Sequence, residues 1–251
     1  MTDDAAGESR PGALVREEHR DHATWLTLDR PERLNVFTGA GYDELGAAVD
    51  RAAADPATRV VVLTGTGRAF SAGADRSLVD GTATPDERRR AGEGFTALIE
   101  AVGRCETPIV AAVNGLAVGV GCTILLQCDL VLAARSARFR FPFTALGIVP
   151  EAGSSVLLPA RARWGDAAWA LLSSEWIDAP AACEMGLAWR AVPDADLVAE
   201  TTRVAATIAA VDPAAVAATK RLLTAGRAEL VRAAMAREQA AMGALLARGD
   251  A

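Results

Sequence analysis

A chain of 251 residues, 51% hydrophobic and 23% charged, can bury a substantial core and reads as an ordinary globular protein of one domain, or one domain with an appendage. Its net charge of -6 argues against the basic surface that non-specific nucleic-acid binding needs, although a local basic patch could still hold the phosphates of one nucleotide. The longest apolar runs, Pro108 to Val113 and Gly115 to Leu126, are broken by Asn114 or rich in glycine, and none reaches the ~20 residues of a membrane span.

Met1 to Pro11 is acidic and polar, with neither the basic start nor the apolar stretch of a signal peptide, so residues 1–12 are expected to be a short disordered leader on a cytoplasmic protein. Thr24 to Leu28 follows as a strand, with His19 and His22 in the polar turn region before it. These are the only histidines, which removes His-dependent triads and most zinc sites. A helix is expected over Gly39 to Ala54 and a strand over Arg59 to Thr64, ahead of the glycine turn Ser71-Ala72-Gly73-Ala74-Asp75. The polar linker from Asp75 to Ala83 reads equally as a mobile loop over a site and as a plain surface loop.

The next helix announces its own start: Thr84 as N-cap, Pro85 at the first helical position and Glu87 completing a capping box. Within Pro85 to Val102, Ala91, Phe95, Leu98, Ile99 and Val102 fall on one face. A strand over Ile109 to Val113 precedes a second glycine turn, Gly119-Val120-Gly121-Cys122, which opens a helix expected over Val120 to Cys128. Asp129, between that helix and the next strand, reads as structural. Glu151 then stands alone as an acid within the apolar and small residues of Phe141 to Pro159, which invites a catalytic reading. The same residue can also be an acid near the N-terminus of a helix over Ala152 to Leu158, favoured there by about 0.3–1 kcal/mol, and both readings can hold at once. Beyond Pro193 only alanine-rich helices are expected, over Ala195 to Ala210, Pro213 to Ala225 and Arg227 to Ala247. Cys105, Cys122, Cys128 and Cys183 show no metal-type pairing and read as reduced, buried thiols.

The two glycine turns, the segment around Glu151, Leu28-Asp29-Arg30-Pro31-Glu32-Arg33-Leu34-Asn35, Pro108-Ile109-Val110-Ala111-Ala112-Val113-Asn114-Gly115 and Gly186-Leu187-Ala188 ahead of Val192-Pro193 together resemble the enoyl-CoA hydratase/isomerase, or crotonase, superfamily over about Leu14 to Gly226. That resemblance implies an α/β fold: a crotonase-like spiral of repeated strand-strand-helix units over residues 13–193, with a C-terminal helical oligomerisation region over residues 194–251 that builds a homotrimer or hexamer. It implies an acyl-CoA thioester as substrate, with no metal and no cofactor beyond the CoA that the substrate carries. The chain ends soon after the helix containing Met242, where family members usually continue through another helix, so any acyl-CoA contact from such a helix is not expected.

Carried over motif by motif, the resemblance places the backbone N–H groups of Ala74 and Val120 in an oxyanion hole for a thioester enolate, the Val120 side chain having to point away. Proton-transfer chemistry through an enolate needs such preorganised donors, each worth ~3 kcal/mol of barrier. The two glutamates with which the family's hydratases activate water fall on Thr123 and Phe143, neither of which can act as a general base. Glu151 falls where delta-3,delta-2-enoyl-CoA isomerases of the superfamily carry their catalytic glutamate. One carboxylate suffices to move a proton from the alpha to the gamma carbon. Phe70, Phe143 and Ile148 are expected to form an apolar pocket that raises its pKa. Thr123 is expected to hydrogen-bond within its own helix. Arg33 and Ala72 fall on the cofactor side, Arg33 reading equally as a solvated charge. Asp75 is grouped with the substrate-side positions, where local hydrogen bonds of its turn are its first use. An isomerase of unsaturated acyl-CoA is the preferred reading. Other enolate-forming reactions of the superfamily (hydratase, ring isomerase or lyase) and a non-catalytic acyl-CoA-binding protein are the alternatives.

Overall fold

The computed structural model describes residues 13–80 and 82–249; the expected leader over residues 1–12 lies outside them. Its strands are β1 (Val15–Arg20), β2 (Ala23–Leu28), β3 (Val60–Gly65), β4 (Ala69–Ser71), β5 (Ile109–Val113), β6 (Leu116–Val118), β7 (Leu130–Ala134), β8 (Arg138–Arg140), β9 (Ile177–Asp178) and β10 (Arg190–Val192). Its helices are α1 (Gly39–Ala54), α2 (Arg76–Val79), α3 (Pro85–Arg104), α4 (Val120–Thr123), α5 (Ser154–Arg161), α6 (Trp164–Ser173), α7 (Ala179–Met185), α8 (Leu197–Ala209), α9 (Pro213–Leu223) and α10 (Arg227–Gly249).

Two sheets organise the chain. The larger runs β1-β2-β3-β5-β7-β10 and the smaller β4-β6-β8-β9. Successive strand pairs β3/β4, β5/β6 and β7/β8 each give one strand to each sheet, which is the spiral of strand-strand-helix units expected from the resemblance. In the large sheet, β2 through β10 are parallel, and only the N-terminal hairpin β1–β2 is antiparallel. All of β2 and β5 is buried, so these strands read as unbroken apolar runs rather than as alternation, as a sheet covered on both faces requires. Helix α8 packs across β2, β3, β5 and β7, while α1 lies against β1, β2 and β3 and in turn packs on α3.

The helix starts follow from local chemistry. Thr84 caps α3 by accepting from the Glu87 N–H, and Glu87 returns the bond to the Thr84 N–H at 2.7 Å, completing the expected capping box. Leu98, Ile99 and Val102 are buried on its inner face against α1, which buries Leu45 and Val49 in return. Each such side chain is worth about 1.5–3 kcal/mol of transfer free energy. The linker after Asp75 is not wholly irregular: it holds the one-turn helix α2, whose N-cap Asp75 accepts from the Ser77 N–H. The helix expected over Val120 to Cys128 is shorter, ending as α-helix at Thr123 and continuing as a 3-10 turn over Ile124–Gln127. A dipole built from so few residues is correspondingly small.

Asp129 is structural in a specific way. One of its oxygens accepts from the Ile109 N–H at 2.7 Å and from the Lys220 ammonium at 2.6 Å, and Lys220 also donates to the Thr107 carbonyl at 2.9 Å. The buried Lys220 thereby ties α9 to the entry of β5. Replacing Lys220 by Met leaves Asp129 without its cation, and we expect urea denaturation to report a loss of roughly 2–3 kcal/mol, below the range for a fully buried pair because Asp129 is partly exposed.

Candidate active site

Strands β4, β6 and β8 lie side by side and run parallel, so the chain leaves all three at the same edge of the small sheet. The segments that follow them are Ala72–Asp75, Gly119–Val120 and Phe141–Gly153. Topology alone therefore gathers the two glycine turns and the segment carrying Glu151, and together they wall a cavity of about 660 Å3 to which α1, α3 and α10 also contribute residues. The cavity includes Ala72, Ala74, Val120, Phe143, Ile148 and Glu151 in its wall.

The two turns touch because they carry no side chain at the contact. A Cβ on Gly121 would sit 2.4 Å from the Ser71 carbonyl oxygen, and one on Gly73, whose φ is +95°, would sit 2.8 Å from that of Val118. The turn after β4 is held from the other side by residues 34–37: the Ala72 N–H donates to Leu34, the Phe37 N–H to Gly73 and the Asp75 N–H to Phe37. In this parallel bridge Phe37 takes up the polar groups flanking Ala74, so the N–H of Ala74 itself points to the opposite side. No hydrogen bond among the described residues engages the N–H of Ala74 or of Val120. The Val120 side chain is buried in the apolar core.

Glu151 is half-buried in the cavity wall, with its Oε2 shielded from solvent. It precedes α5 rather than opening it, because Ala152 and Gly153 both adopt left-handed backbone, at φ 59° and 71°, and the helix begins at Ser154. The Glu151 carbonyl accepts from the Ser154 N–H at 2.9 Å, closing this turn. One side-chain oxygen, Oε1, accepts from the Thr123 hydroxyl at 2.6 Å; the other, Oε2, is buried with no partner among the described residues. Burial pushes the Glu151 carboxyl up to about 8, the Thr123 hydrogen bond opposes this, and the neighbouring charge of Glu238 adds to it.

Several sequence expectations are corrected here. Thr123 bonds to Glu151 and not within its own helix, since its hydroxyl meets an acceptor that sequence periodicity does not show. Phe70 lies in the core beneath β4, fully buried and away from the cavity wall, because the wall is made by the segment after the strand. Asp75, by contrast, makes the local hydrogen bonds expected of its turn, accepting from Ser77 through one oxygen and pairing with Arg33 at 3.1 Å through the other, and neither Arg33 nor Asp75 is part of the cavity wall. Burial raises the Asp75 pKa, but its bonds with Ser77 and the Arg33 charge outweigh it and hold the carboxyl below the usual range. Sequence reasoning missed Tyr42 and the α10 residues Met235, Glu238 and Met242, all on the cavity wall. Nothing in the sequence marked Glu238, which is one of two acids, with Glu229, on α10. Among the described residues no cluster of His, Cys, Asp and Glu is placed to hold a metal ion, and no helix is long and apolar enough to cross a membrane.

A family model described as enoyl-CoA hydratase/isomerase matches residues 19–248. A protein of Rhodobacter capsulatus named as a probable enoyl-CoA hydratase is 39% identical over 232 residues, 92% of this chain and 89% of that protein. The 1,2-epoxyphenylacetyl-CoA isomerase of Escherichia coli is 37% identical over 175 residues, 68% of this chain and 67% of that protein. Among solved structures, the enoyl-CoA hydratase/isomerase of Pseudoalteromonas atlantica superposes with a TM-score of 0.85 at 38% identity, covering 93% of this chain and 92% of that one.

The position of Glu151 has a measurable energetic sign. The folded carboxyl holds its proton up to about pH 8 while the unfolded one releases it near 4.5, so native stability falls as pH rises between these values and levels off above them. Glu151→Gln, which removes the titration, is expected to be more stable than the parent at about pH 9, by an amount on the order of a few kcal/mol, and to gain much less at about pH 5; calorimetric melting at the two pH values checks this.

Proposed function

This chain belongs to the enoyl-CoA hydratase/isomerase family, whose chemistry passes through acyl-CoA enolates, and within that family we propose that it is an isomerase moving the double bond of a 3-enoyl-CoA to the 2-enoyl position. The observation that carries the reading is one carboxylate, Glu151, with one oxygen anchored by Thr123 and the other shielded from solvent with no partner among the described residues. The thioester oxygen is held by the N–H groups of Ala74 and Val120, which no acceptor among the described residues occupies. The Oε2 of Glu151 takes a proton from the alpha carbon, the electron pair delocalises into the dienolate, and the same oxygen returns the proton to the gamma carbon on the same face. The product is the conjugated thioester, and no water enters the balance.

Hydration is disfavoured by what stands at the two water-activating positions, since Thr123 offers a hydroxyl already given to Glu151 and Phe143 offers no exchangeable proton. The other acid on the wall, Glu238, has both oxygens engaged by backbone N–H groups at 2.9 and 3.0 Å. A ring-rearranging isomerisation of an acyl-CoA is the second reading, favoured by the relative named for that substrate class, and it uses the same base. The apolar wall, with Phe143, Ile148, Phe95 and Met242, fits the acyl group in either case. Exposed Trp164, Trp169 and Leu172 on α6 and Leu222 and Leu223 on α9 fit burial between subunits of a homotrimer or hexamer, for which light scattering should return a mass near three or six times 26.0 kDa.

Purified protein is expected to convert 3-hexenoyl-CoA to 2-hexenoyl-CoA, with hydration of the product slower by about a hundredfold or more, and Glu151→Gln should lower kcat by about a thousandfold. Thr123→Val should retain activity, with the acid limb of its rate profile moved to higher pH, because the bond it removes holds the Glu151 pKa down. Isomerisation undiminished in Glu151→Gln defeats the base assignment. Turnover of a ring-bearing acyl-CoA alone transfers it to the second reading.

A further inference from the structure

The least expected contact at this site comes from the far end of the chain. Glu238, on α10 and buried, accepts from the Gly153 N–H through one oxygen at 2.9 Å and from the Ser155 N–H through the other at 3.0 Å. These are N–H groups at the start of α5, whose own N-cap, Gly153, offers no side chain to receive them. Val231, two turns earlier on α10, closes on the same point: a Cβ on Gly153 would lie 3.0 Å from a Val231 methyl group. The turn so held contains Ala152, in left-handed backbone that a β-carbon disfavours, immediately after Glu151.

We infer that Glu238 is a positioning residue for Glu151: a carboxylate from the C-terminal helix clamps the turn that carries the acid and faces it with a fixed negative charge. The inference rests on the proposed role of Glu151 as the base. The clamp is a charge-assisted pair of hydrogen bonds across 85 residues of sequence, so it couples the seating of α10 to the direction in which Oε2 points. A like charge on Glu238 holds the proton on Glu151 more firmly. Other groups also face Glu151. Thr123 and the buried thiol of Cys122 come from α4, the Tyr42 phenol from α1 and the Arg88 guanidinium from α3 onto the same cavity. Among these, Glu238 alone brings a second carboxylate.

The test is Glu238→Gln beside the parent enzyme, read by isomerisation of 3-hexenoyl-CoA and by exchange of the alpha protons of hexanoyl-CoA in heavy water, each across pH. A glutamine can accept from one of the two N–H groups but turns its amide toward the other. The expected result is a kcat lower by about tenfold, KM within about threefold, and an acid limb moved to lower pH, opposite to the Thr123→Val shift. Glu238→Asp keeps the charge and shortens the reach. It should lower kcat with the limb little moved, and it carries the test if the Gln variant does not fold. A Gln variant that melts earlier yet keeps the parent kcat and limb shows a merely structural contact and overturns the inference, as does an Asp variant equal to the parent in kcat. If Glu151→Gln is itself fully active, the base assignment has failed instead, which separates the two outcomes.

Discussion

The Oε2 of Glu151 is kept from solvent, and much of the surrounding structure answers to that constraint. Removing a carboxyl from solvent favours its protonated form, and leaving one oxygen without a partner costs on the order of 1–3 kcal/mol. The left-handed Ala152 beside it adds a further strain of similar order. Local bonding recovers only part of this, through the Thr123 hydroxyl and the closed turn to Ser154. The remainder is offset by the large sheet and its helices, whose buried strands and packed faces are independent of the site.

The second constraint is the close approach of backbones. Because β4, β6 and β8 are parallel neighbours, their exits converge at one edge, the general place where sheets of parallel strands assemble sites. Convergence alone would leave a gap the width of two side chains. Glycine at positions 73 and 121 removes that gap, so two N–H groups from separate turns can face one cavity without side chains between them. The bridge from Phe37 then fixes the orientation of the Ala74 peptide.

The elements legible in the sequence were those with length and local grammar. Helix α1 matched its expected range, and the capping box of α3 was visible in Thr84, Pro85 and Glu87 before any coordinates. The small sheet was not legible, since β4, β6 and β8 have three residues each and β9 two, too few to show a period. The glycine turns and Glu151 stood out because residue type and context were unusual. Glu238 did not, and Thr123 was noticed without its true partner, because both act across long stretches of sequence: Thr123 on Glu151, 28 residues away, and Glu238 on Gly153 and Ser155, 85 and 83 residues away. Phe70 was misplaced for a related reason: strand position and cavity wall differ by a few residues, and hydrophobicity does not distinguish them.

Two acids share this cavity wall, and their surroundings push them apart in character. Glu238 receives two amide N–H groups, which stabilise its charge at the start of a helix. Glu151 receives one hydroxyl and an apolar enclosure, which favour its proton. Glu151 is thereby the member whose proton affinity is pushed up toward neutrality, while Glu238 is committed to the backbone, a difference in surroundings by which carboxylates on one fold acquire different tasks. A reaction that needs two proton-exchanging acids and a water molecule is poorly matched to such a pair. A reaction in which one acid takes a proton and gives it back needs only Glu151 to exchange it, and the charge of Glu238 eases the first step, by opposing the carboxylate that takes up the alpha proton, while the return to the gamma carbon is driven by the conjugated product.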